Sequence, residues 1–255
     1  MRSATPALFL AFAAIASAFA AAEASAVTSQ ASPGSPCLKN NGNPCNGNNG
    51  NLEPQGNVGD ERRSIDRKPP PIAMAMPSVS GRGAFIEQIG QGATATIVQT
   101  APNALATVFQ NGGPGNEVDV TQRGTGTAFA SINQSGSTQL IQAEQFGSGR
   151  TALWVTQSGS DNRLWTRQAT NGSQFNGAAL SQIGSGNDML LTQSGSDNLA
   201  ALSQEGDNNR MTVAQNGVGN RLTWDQQGSY LSDLQIVQNG GSVQGGQLLI
   251  TQTNR

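Results

Sequence analysis

The chain has no histidine at all, and its 255 residues carry only 14 Lys and Arg against 16 Asp and Glu, a net charge of −2. Without His, the usual base for a Ser or Cys nucleophile is missing, and triad chemistry is excluded. The Gly-rich turns also lack the Lys of a phosphate-binding loop. Paired carboxylates remain open as a formal possibility, but the few acidic residues fall at outward or turn positions, so no enzyme is expected. Near-zero charge gives no basic field for nucleic acid and no polybasic stretch for a membrane surface. Aromatics are 5% of the chain and charged residues 12%, while mean hydropathy is −0.36. The polarity therefore resides in Gln, Asn, Ser and Thr, and Gly reaches 32. Such chains either stay disordered or stack into polar ladders.

Cysteine is almost as scarce. Cys37 and Cys45 lie in SPCLKNNGNPCNG, where an oxidising compartment would let them close a small local disulfide loop. Two Cys without His do not build a zinc site, which takes about four ligands, so no metal and no cofactor is expected. The turns SGSDN and GDNN are rich in oxygen, but the calcium nonapeptide needs a regular Asp that recurs here only sporadically.

No long hydrophobic run occurs after the N-terminus. Residues 1–26, MRSATPALFLAFAAIASAFAAAEASA, have one Arg, an apolar run and small residues ending in Ala-x-Ala patterns, the layout of a secretory signal peptide with cleavage after Ala20 or Ala26. A membrane anchor fits less well, since a span needs roughly 20 strongly apolar residues. Residues 27–80 are rich in Asn, Gly, Pro and Ser with no sustained apolar period, which reads as a disordered leader or linker. IAMAMP at 72–77 falls at its end as a sticky linker; its two Met are too few for a metal site.

From residue 81 to 255 a period takes over. Gln recurs at Gln88, Gln99, Gln110, Gln122, Gln134, Gln145, Gln157, Gln168, Gln182, Gln193, Gln204, Gln215, Gln226, Gln238 and Gln252, mostly 11 or 12 residues apart, with two steps of 14. The fourth residue before each Gln is always apolar, from Ala84 to Leu248, and the second is large and apolar except at Ala143 and Thr166. The sixth is Asn seven times: Asn116, Asn162, Asn176, Asn187, Asn198, Asn209 and Asn220. Gly usually follows two residues after the Gln, as at Gly159, Gly195, Gly206 and Gly217.

Asn, apolar, apolar and Gln lie two residues apart, which puts them on one face of an extended strand and rules out a helix. One such strand buries too little to be stable. Stacked copies about 4.8 Å apart let each buried Gln amide bond to the Gln above and below, and Gly supplies the corner. The expected fold is all-β: a β-solenoid of stacked strand–turn–strand units, with two facing parallel sheets and about 22 residues per coil. A three-sided coil satisfies the same spacing.

The unit Gln-x-Gly-x-x-Asn-x-apolar-x-apolar-x-Gln, complete in QIGSGNDMLLTQ (182–193) and QNGVGNRLTWDQ (215–226), resembles the repeat of the curlin family, the subunits of bacterial curli fibres. The likeness covers about 81–255. Early units depart from it: Ala93 and Ala104 stand in the Asn slot and Ala101 in the corner Gly slot. The resemblance implies export through the periplasm, self-assembly into cell-surface amyloid fibres serving adhesion and biofilm matrix, a nucleator subunit, and a dedicated outer-membrane secretion apparatus. The Gln and Asn columns, read from their spacing, are the ladder along which copies are expected to polymerise. A second reading is a non-polymerising extracellular solenoid that binds ice or carbohydrate. Outward positions such as Phe85, Thr96, Asp119, Gln142, Trp154 and Trp165 do not form a regular ice-matching lattice, although Trp154 and Trp165 could stack on sugars.

Overall fold

The computed structural model describes residues 72–172, 175–241 and 245–254. The segments read as signal peptide (1–26), the pair Cys37 and Cys45, and residues 27–71 of the leader lie outside the described residues. Alternation of inward apolar and outward mixed side chains produces fifteen strands: β1 (Arg82–Gly90), β2 (Thr94–Gln99), β3 (Asn103–Gly112), β4 (Glu117–Gly124), β5 (Thr127–Ser137), β6 (Leu140–Gly147), β7 (Arg150–Ser160), β8 (Arg163–Thr170), β9 (Phe175–Ser185), β10 (Asp188–Ser196), β11 (Leu199–Glu205), β12 (Arg210–Val218), β13 (Arg221–Gln227), β14 (Leu234–Asn239) and β15 (Gln247–Thr253).

Odd-numbered strands form one eight-stranded parallel sheet and even-numbered strands a seven-stranded one. The coil is thus two-sided, and consecutive strands face each other across the core instead of pairing. Parallel neighbours hold one register throughout, Gln over Gln, from Gln88↔Gln110 to Gln226↔Gln252. The step of 14 residues between Gln168 and Gln182 is absorbed outside the ladder, since Gln157 still opposes Gln182. The early units also keep register: Ala104 sits between Arg82 and Ala128. There a small buried cluster of Ala101, Ala104 and Ala128 fills the corner that Asn occupies in later coils.

Between the sheets runs one continuous apolar core. Leu153, Leu180, Leu202 and Leu222 from one sheet and Ile141, Leu164, Met189 and Met211 from the other are essentially excluded from water. Full burial of each such side chain stabilises the fold by about 1.5–3 kcal/mol. Trp224, wholly buried, closes the core near the C-terminal coils.

The eight-stranded sheet carries a second cluster on its outer face: Phe129, Ala152 and Trp154, with ring centroids of Phe129 and Trp154 5.6 Å apart. Met74, Met76 and Val79 pack against it together with Leu105 and Phe175. Residues 72–80 have no regular secondary structure, yet the IAMAMP string expected within the linker lies on the solenoid. Its Ile72, Met74 and Met76 are half-buried while Ala73 and Ala75 are exposed, so the segment is extended with one apolar side.

Candidate assembly surface

Two columns of Gln run through the interior. In the eight-stranded sheet, Gln88, Gln110, Gln134, Gln157, Gln182, Gln204, Gln226 and Gln252 are joined by seven side-chain bonds of 2.6–3.1 Å, each Nε2 donating to the Oε1 of the next rung. In the other sheet, six bonds of 2.8–2.9 Å link Gln99, Gln122, Gln145, Gln168, Gln193, Gln215 and Gln238. The second amide proton is also used. Gln145 donates to the Phe129 carbonyl at 2.9 Å, Gln168 to that of Ala152 at 3.1 Å and Gln193 to that of Gly177 at 3.1 Å. Each interior amide thus ties its own column to the opposite sheet, which satisfies a group that is costly to bury unpaired.

Asn forms the corner. Asn162 Oδ1 accepts from the Asn187 backbone N–H, and Asn187 Oδ1 from that of Asn209, both at 3.0 Å. In the facing sheet Asn176 serves Asn198 and Asn198 serves Asn220. The Nδ2 groups cap the corner carbonyl of the next rung, Asn116 to Gly136, Asn162 to Gly184 and Asn187 to Gly206, whereas that of Asn220 donates to Asn198 Oδ1 and the Asn216 carbonyl. Gln139 occupies the Asn slot of β6, where its N–H donates to Asn116 Oδ1 and its Nε2 caps Gly159. The Asn pattern alone overlooked it; the spacing of six before Gln145 was the available signal.

The corner dictates its own residues. Gly159 has φ +111°, and a Cβ there would run into the carbonyl oxygen of Gly184. Just before the Asn, Asp161 and Asp197 take left-handed angles of +56° and +58°, a conformation Asp tolerates better than most side chains. In this setting the SGSDN turns are conformational devices.

The ladders have a direction. Every Nε2 points toward the C-terminal end and every Oε1 toward the N-terminal end, so the two ends of the stack differ chemically. At the N-terminal end, Phe85 and Ile86 of β1 and Val98 of β2 are exposed; at the other, Leu234 and Val237 of β14 and Leu248 and Leu249 of β15. Ile86, Leu234 and Leu248 belong to the inward rows and meet solvent because no further coil among the described residues covers them. Among the described residues both ends are therefore open strand edges carrying uncovered core.

The outer faces differ. Trp154 belongs to β7 and is 5% exposed, whereas Trp165 belongs to β8 in the opposite sheet and is 60% exposed. The two rings form no shared sugar-stacking platform. Beside Trp165, Glu144 bridges Arg123 at 2.9 Å and Arg167 at 3.3 Å, and Arg167 lies 4.6 Å from the Phe146 ring centre. Such exposed pairs add little stability. No helix among the described residues is long and apolar enough to cross a membrane.

No curated protein and no solved structure matches the chain. A family model does: residues 195–228 match the curlin associated repeat. The matched stretch runs from the corner glycine Gly195 to the corner glycine Gly228 and takes in β11, β12 and β13. The same register, Gln columns and corners continue through the neighbouring rungs, so the matched repeat lies within a longer run of like rungs.

Proposed function

We propose that the chain is a secreted, self-assembling structural subunit of extracellular curli-like amyloid fibres that serve cell adhesion and biofilm matrix. The observation that carries this reading is the polarity of the open ends. The Gln252 amide at one end complements the Gln88 carbonyl at the other, and uncovered Leu248 complements uncovered Ile86. Head-to-tail stacking continues both columns, whereas head-to-head stacking would oppose acceptor to acceptor. An unblunted edge templates another copy, and a head-to-tail contact that does not close gives a filament. The role is structural and not catalytic, in keeping with the absence of histidine. Export by a dedicated outer-membrane apparatus and seeding by a nucleator subunit belong to the same reading, on the strength of the repeat family. Incubation of the purified exported chain is expected to yield thioflavin-T-positive fibres with reflections near 4.8 and ~10 Å. A chain that stays monomeric for days without a cross-β pattern would overturn the proposal.

A further inference from the structure

Among the described residues the two sheets are unequal: eight strands against seven. β15 extends its sheet one rung beyond β14, and that rung has no partner across the core. If subunits join head to tail as proposed above, β1 of the next copy stacks on β15, and its β2 then stands two rungs above β14. A slot one strand high opens in the seven-stranded sheet at every junction, floored by the exposed Leu234 and Val237. An empty slot would leave strand edges unpaired on both sides and the inward side chains of β15 facing water.

We infer that residues 72–76 of the incoming copy fill this slot as an extra strand ahead of β1. Met76 precedes Gln88 by twelve residues, the step found also between Gln110 and Gln122. Counted from Met76 as from a Gln, the fourth and second residues back are Ile72 and Met74, the two inward positions of every other rung, apolar in all but Thr166. The segment is already extended with Ile72, Met74 and Met76 turned to one side. Chain order places it in the deficient sheet, because the strand before β1 must lie opposite β1 and beside β2. Met in the Gln slot matches what lies beneath it. Gln238 already donates to the carbonyls of Arg221 and Gly246, both at 3.2 Å, so its column ends internally and needs no further acceptor. The other column continues, Gln252 to Gln88. In the free subunit the same Met74 and Met76 cover Phe129 and Trp154, so joining exchanges an outer-face contact for a place in the sheet. The partner is a second copy of this chain.

The register places Met74 of one copy beside Ile236 of its neighbour, and hence the outward Ala75 beside the outward Val237. Cα atoms of adjacent strands lie about 4.8 Å apart, within the disulfide range of about 4.4–6.8 Å. In a Cys37→Ser, Cys45→Ser background, Ala75→Cys and Val237→Cys proteins are mixed, polymerised and oxidised. A covalent dimer is expected that needs both variants, with neither alone producing it. Fibres without that dimer overturn the inference and leave the fibre proposal standing, whereas no fibres from the unaltered chain overturn the fibre proposal and this inference with it. Independently, Met74→Asp would put a carboxylate among apolar neighbours and is expected to slow elongation on unaltered seeds about tenfold. Unchanged elongation would contradict the strand assignment even if the cysteine variants failed to fold.

Discussion

Replacing Gln182 by Met tests the energetic basis of the ladder. Gln182 is fully buried; its Oε1 accepts from Gln157 at 2.6 Å, and its Nε2 donates to Gln204 at 2.9 Å and to the Arg163 carbonyl at 3.1 Å. Met conserves volume and shape, so packing changes little. It strands one amide proton of Gln157 and the side-chain oxygen of Gln204, both out of reach of water. At about 1–3 kcal/mol for each orphaned buried group, the loss should come to about 2–6 kcal/mol, slightly offset by burial of the thioether. The same change at the exposed Gln88 strands a single group, Gln110 Oε1, and should cost about half as much. Urea unfolding of freshly desalted monomer, followed by far-ultraviolet circular dichroism, gives both values under identical conditions. If Gln182→Met lowers the midpoint no more than Gln88→Met, the buried amides are not what makes the column necessary.

Gly159→Ala, which must take a left-handed φ and push into the Gly184 carbonyl, should cost about 2–4 kcal/mol or prevent folding. Gly241→Ala, with nothing within 4 Å of the added carbon, should stay within about 0.5 kcal/mol in the same urea assay. Thr166 occupies an inward slot with its hydroxyl buried and without a hydrogen-bond partner. Thr166→Val keeps the shape and removes the orphan, so the midpoint should rise by an amount equivalent to about 1–2 kcal/mol; a fall would show that the hydroxyl is satisfied.

Strand positions, inward rows and Gln-over-Gln register were legible in residues 81–255, because a period of two and a recurring amide are local, repeated constraints. The string 72–76 carried the same alternation, but without Gln, Asn or corner Gly it read as linker, and the structure lays it on Phe129 and Trp154. Gln139 likewise escaped a pattern keyed to Asn, although its longer amide makes the same corner bonds.

Periodicity along the chain settled which side chains face inward and which positions share a column, since both follow from the pleat of each strand. It left open how far each corner turns. That angle is set by the left-handed backbone at positions such as Gly159 and Asp161, and it makes the coil two-sided instead of three-sided. The two-sided coil in turn sends Trp154 and Trp165 to opposite faces, gives each interior Gln amide a carbonyl of the facing sheet, and leaves one sheet a strand shorter than the other among the described residues. None of these relations links neighbours in the chain, so folding alone brings them about.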